Sequence, residues 1–145
     1  MIIQLSPEDI AKHWELIKYG TLQVATGFNP AAYSTNLLKN LLLGKCQCWF
    51  SMDQGRKIKM LVITRINNDE GDTKHLFIGP VYGFSRSYDN EWKEALNSLV
   101  KFSEGMGLNS LIVATMNPRV VQLCNLLNFK KTYDVYEYNL KGDKK

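Results

Sequence analysis

Three cysteines and two histidines hold most of the reactive chemistry in this 145-residue chain. Cys46-Gln47-Cys48 sets two thiols two residues apart, a spacing that can start a zinc site. No second Cys or His pair comes at the interval such a site needs, and His75 and Cys124 lie far off in sequence, so no metal site is expected. Residues 46 and 48 share one face of an alternating segment, where a free thiol packs as a small apolar group. An odd cysteine count argues against a closed disulfide set and for a reducing, cytoplasmic compartment. His13 and His75 carry the imidazoles, which titrate near neutrality. The chain has no Gly-Lys-Ser/Thr phosphate loop, no Gly-x-Ser-x-Gly elbow and no His-Glu-x-x-His pair, so hydrolase and nucleotide-binding readings have no anchor.

Periodicity defines the elements that must position these groups. Residues 2–5 form a short strand. Ser6-Pro7-Glu8-Asp9 opens a helix with a cap, a first-turn proline and acids that complement the dipole. Ile10, Trp14 and Ile17 continue it at helical spacing, and Gly20 and Gly27 punctuate the next stretch. Asn29-Pro30 opens a second helix, with Tyr33, Leu37, Leu38, Leu41 and Leu42 inward and Gly44 closing it. The period then changes. Cys46, Cys48, Phe50 and Met52 alternate with Gln47, Trp49 and Ser51, which predicts a half-buried strand. Residues 58–66 and 74–82 complete an antiparallel meander. A third helix carries Trp92, Ala95, Leu96, Leu99, Phe102 and Met106 on its buried side. Residues 108–115 are apolar enough for a strand covered on both faces. Asn117-Pro118 opens a fourth helix through Leu127, and 129–140, with Tyr136 and Tyr138 alternating, returns as one strand or two.

The order β-α-α-β-β-β-α-β-α-β(-β) implies an α/β fold with a mixed sheet, and residues 74–116 have the length of a crossover between parallel strands. With 45% hydrophobic residues, 22% charged residues and a net charge of +4, disorder is excluded and one domain over 1–140 is expected, with 141–145 a basic, flexible tail. No apolar run approaches the ~18–20 residues that span a bilayer, and no signal peptide is evident, so no membrane partner is expected. The basic residues are scattered, which disfavours a nucleic-acid partner.

This element order resembles the GNAT family of acyl-CoA-dependent N-acyltransferases over nearly the whole chain. The most specific stretch is Asn117-Pro118-Arg119-Val120-Val121-Gln122-Leu123-Cys124-Asn125-Leu126-Leu127-Asn128-Phe129, in which Asn117, Val120, Leu123 and Phe129 fall in the family register. Asn128 replaces the usual Gly and is the next-best residue for a left-handed helix exit. The resemblance implies fourth and fifth strands that are parallel and splayed, with acetyl-CoA as cofactor in the gap. It implies backbone donors at Phe77, Ile78 and Gly79, phosphate contacts at Ser85, Arg86 and Ser87, and Asn117 facing the same cleft. The acceptor would be an amine on a small molecule or protein, with His75 as general base. Cys124 stands where the family has the tyrosine that protonates the departing thiolate.

The phosphate loop departs from the family. Its glycines are reduced to Gly83, Tyr88 occupies a place of close backbone approach, and Asp89 and Glu91 would repel a diphosphate in the first helical turn. The alternative is therefore a GNAT-fold binding or structural module that has lost CoA and takes a protein partner through residues such as Trp49, Phe84 and Tyr88.

Overall fold

The computed structural model describes residues 2–24, 29–87, 89–115 and 117–141. Gly27, Tyr88, Lys144 and Lys145, to which the sequence assigns roles, lie outside the described residues. Strand β1 (Ile2–Gln4) leads into α1 (Pro7–Lys12), where the Ser6 side chain accepts from the Asp9 amide at 3.2 Å. The sequence predicts one continuous helix here, but the chain breaks at His13 (φ −106°, ψ 16°) and restarts as α2 (Trp14–Val24). The break turns the half-buried His13 ring edge-on to Phe50, with centroids 5.5 Å apart, so this imidazole belongs to the core margin. Next come α3 (Pro30–Leu42), β2 (Cys46–Met52), β3 (Ile58–Asn68), β4 (Lys74–Gly83), α4 (Asp89–Gly105), β5 (Ser110–Val113) and α5 (Pro118–Leu126).

One sheet runs in the order β1-β2-β3-β4-β5, with every pair antiparallel except β4–β5, which is parallel. This is the mixed architecture the element order implies. Helices α1 to α3 cover one face over Ile10, Ile17, Leu41, Cys48, Phe50, Leu61 and Ile63. Helix α4 covers the other over Trp49, Met60, Val62, Leu76, Ala95 and Leu99.

Because both faces are covered, β2 is buried on both, and the expected outward polar face does not exist. Trp49, expected at a contact surface, is only 5% exposed. Its Nε1–H donates to Thr64 Oγ1 at 2.9 Å, and Thr64 in turn donates to Gln47 Oε1 at 2.9 Å. The polar residues of this alternation thus satisfy one another beneath α4. Cys46 and Cys48 pack in the opposite core, and burial pushes the Cys48 thiol up to about 12.

Gly20 lies inside α2 and is not the expected chain punctuation. A Cβ there would stand 2.9 Å from Leu61 Cδ2 and 3.3 Å from the rings of Tyr82 and Phe84. Helix and sheet approach too closely for a side chain. Gly20→Val should cost about 1–3 kcal/mol through overpacking, seen as a lower urea midpoint at an unchanged m-value.

Two carboxy-terminal expectations are corrected. Strand β5 is short and half-buried along its length, not covered on both faces, because α5 buries none of its residues and no described strand joins β5's outer edge. Residues 129–139 form neither helix nor strand, 140–141 turn, and none of them joins the sheet. Their apolar side chains change phase, with Tyr133 and Val135 at odd positions and Tyr136, Tyr138 and Leu140 at even ones, so no single face collects them. No helix among the described residues is long and apolar enough to cross a membrane.

Candidate functional site

The β4–β5 ladder pairs His75 with Ser110, Leu76 with Leu111, Phe77 with Ile112 and Ile78 with Val113, then ends. Strand β4 continues to Gly83 against β3 alone. A bulge coincides with the parting. Val62 pairs with Val81 and Thr64 with Ile78, so Gly79 and Pro80 together oppose Ile63. Gly79 sits at φ 139°, a conformation that favours glycine, and a Cβ built on it would meet no atom within 4 Å. The missing side chain therefore opens onto free space where the two parallel strands separate. Phe77 and Ile78 lie inside the paired stretch, so of the three expected backbone donors only Gly79 stands at the parting itself.

The bulge also changes which face each β4 side chain takes. Leu76, Ile78 and Val81 pack with the α4 core. Tyr82 turns the other way, where its ring meets Tyr19 of α2 at 6.1 Å and Phe84 at 5.1 Å, both edge-on. Burial and the neighbouring Tyr19 hydroxyl hold the Tyr82 phenol above its ordinary value. Tyr19 escapes sequence reasoning. The available signal is its neighbour Gly20, since a glycine inside a helix marks a close approach.

Ser85 and Arg86 are exposed on the loop into α4, whereas Ser87 is 7% exposed and its Oγ has no hydrogen-bond partner among the described residues. Glu91 turns toward the sheet, where Lys59 Nζ lies 2.6 Å from its carboxylate at side-chain exposures of 15% and 24%. Lys59 therefore neutralises one of the two carboxylates expected to repel an anion. Asp89 remains exposed in the first turn.

Asn117 is spent as a cap. Its Oδ1 accepts from the Arg119 amide at 3.0 Å, and Pro118 takes the first helical position. At the far end of α5, Asn128 adopts φ 66°, and the Phe129 amide donates to the Cys124 carbonyl at 2.8 Å, the left-handed exit the sequence implies. Cys124 is half-buried, and burial pushes its thiol above the usual value.

His75 stands apart. Its Nδ1 lies 2.6 Å from Ser110 Oγ and its Nε2 3.4 Å from Asp69 Oδ2. The Asp69 carboxyl is held below its usual range, first by the Thr73 amide and also by the Gly71 amide and His75. This Ser110–His75–Asp69 chain occupies the zipped end of β4 and β5. Four residues at strand rise put it about 13 Å from Gly79. The fold does not bring the expected base to the parting.

No protein-family model and no curated protein matches the sequence. Solved structures match the fold over nearly the whole chain. The structure of AAC(6')-Iy in complex with the bisubstrate analog CoA-S-monomethyl-acetylneamine superposes at a TM-score of 0.73 with 15% identity, covering 96% of each chain. The ribosomal-protein-alanine N-acetyltransferase from Brucella melitensis biovar Abortus 2308 gives 0.70 at 14% identity, covering 97% of this chain and 99% of that one. A predicted acetyltransferase from Clostridium acetobutylicum with acetyl-CoA also gives 0.70, at 13% identity, covering 97% and 96%. Identities this low make the likeness one of fold.

Proposed function

We propose that this chain, which has the GNAT fold, is a cytoplasmic N-acyltransferase that takes an acetyl group from acetyl-CoA to an amine. The observation that carries the reading is the parting of β4 from β5 at the Gly79 bulge. The residues around the gap fit the cofactor. Gly79 leaves open space at the parting, and on the loop into α4 Ser87 Oγ is buried without a partner among the described residues.

Acetyl-CoA supplies the activated acetyl thioester when bound. Ser85, Arg86 and Ser87, with the first amides of α4, would hold its diphosphate. The backbone around Gly79, continuing from Phe77 and Ile78, would orient the thioester carbonyl, and Asn117 would shape the far wall by fixing the start of α5. Cys124, its thiol kept neutral by burial, would be the proton carrier on the α5 side. The Tyr19, Tyr82 and Phe84 rings form an aromatic wall on the opposite side, suited to a cationic amine before it loses its proton. His75 is too remote for the base role. The competing reading, a module without CoA, rests on the glycine-poor loop and the exposed Asp89.

The test is thiol release from acetyl-CoA across a panel of primary amines. Amine-dependent release that falls on Tyr82→Ala supports transfer with the aromatic wall as acceptor site. Absence of release with every amine, at saturating acetyl-CoA, favours the module.

A further inference from the structure

We propose that Ser110 is a nucleophile activated by His75, and that the Ser110–His75–Asp69 chain is a second acyl-handling site, one that cleaves short-chain carboxylic esters without CoA.

The fold brings the three groups together from separate segments. His75 and Ser110 are register partners in the β4–β5 ladder, so their side chains stand on one face of the sheet, with Oγ 2.6 Å from Nδ1. Asp69 comes from the turn between β3 and β4. Its Oδ1 accepts from the Thr73 and Gly71 amides at 2.9 Å each, and Oδ2 is left to His75 Nε2 at 3.4 Å. Those bonds, the Thr73 amide's foremost, hold the carboxyl below its usual range, so it stays ionised and can only accept. An acceptor facing Nε2 keeps the ring proton there, and Nδ1 is left bare to take the Ser110 hydroxyl proton. A serine on a base, with that base oriented by a third group, is the arrangement that activates a hydroxyl for attack. Catalytic hydrogen bonds are often long before substrate binds, as the 3.4 Å contact is here. The imidazole is 21% exposed and Ser110 is half-buried, so substrate can reach both.

The neighbouring pair sets the substrate class. Phe77 and Ile112 are register partners two residues along, on the same face and half-buried, and they give a small acyl group an apolar bed. Ser110 Oγ attacks the ester carbonyl carbon while its proton passes to Nδ1. The bond from that carbon to the alcohol oxygen breaks as Nδ1 hands the proton on to the leaving oxygen. Water then attacks the acyl-serine by the same route, releasing the carboxylic acid and restoring the hydroxyl. Asp69 touches only the imidazole and is a positioning residue. The site lies about 13 Å along β4 from Gly79, and its activity does not depend on acetyl transfer there.

Two reagents given to the full chain, with neither CoA nor amine, test this: p-nitrophenyl acetate, and diisopropyl fluorophosphate followed by peptide mass mapping. In the second, Oγ displaces fluoride from phosphorus, which marks the nucleophile in the wild-type fold. The expected results are ester turnover and one phosphoryl adduct per chain, on Ser110, with both rates about 10²–10⁴-fold lower in His75→Ala. Asp69→Asn should lower kcat for the ester at unchanged KM, whereas loss of a merely structural tie would leave kcat standing. No adduct, an adduct on another residue, or labelling of Ser110 undiminished by His75→Ala overturns the proposal.

Discussion

Gly79→Val should lower the acetyl-CoA-dependent rate about 10²-fold, with the protein still folded. The residue sits at φ 139°, so a branched side chain there meets backbone strain of about 1–3 kcal/mol. The larger effect is local. The Cβ position faces open space beside the point where β4 leaves β5, so added methyl groups there would crowd a thioester seated at the parting. Displacing a reacting group by even 1 Å costs on the order of 10² in rate. Gly79→Ala, with one carbon in place of three, should fall between valine and wild type. Steady-state kcat/KM for thiol release, beside far-UV circular dichroism of each variant, reads the effect. A valine variant with undiminished turnover would mean that acetyl transfer happens elsewhere on the molecule.

Thr64→Val should produce the largest stability loss of any near-isosteric substitution in the sheet. Thr64 Oγ1 accepts from Trp49 Nε1 and donates to Gln47 Oε1, and all three side chains are buried under α4. Valine keeps the shape but strands one donor and one acceptor, at about 1–3 kcal/mol each. The expected total of about 2–6 kcal/mol corresponds to a melting temperature lower by roughly 10–20 °C for a domain of this size. Adding Trp49→Phe and Gln47→Leu removes the stranded groups, so the triple variant should regain part of the loss. Thermal unfolding of the single and triple variants compares the two directly, and equal losses in both would assign the effect to packing alone.

Much of the scaffold can be read from local chemistry. Ser6, Asn29 and Asn117, each followed by proline, open helices where expected, because a capping side chain and a missing N–H act within one turn. Asn128 ends α5 in the left-handed conformation for the same reason. The misreadings share a cause, since they depend on what lies across the molecule. Gln47, Trp49 and Ser51 look like an outward face until α4 is laid over them. The helix from Ser6 looks continuous until His13 turns its ring onto Phe50 at the break between α1 and α2. In the site, family resemblance implies the parting of β4 from β5 and includes Gly79, but strand pairing places Phe77 and Ile78 within the ladder. The pairing of Glu91 with Lys59, 32 residues away, is invisible to charge counting along the helix. The separation of His75 from Gly79 is legible as four residues of strand, but only once the point of parting is known.

Whether the gap at Gly79 receives acetyl-CoA is decided by calorimetric titration of the full chain with that thioester. One saturable site per chain is expected, weakened at least tenfold in Gly79→Val and accompanied by a rise in melting temperature as ligand accumulates on the native state. Absence of heat and of any thermal shift at millimolar acetyl-CoA would contradict it.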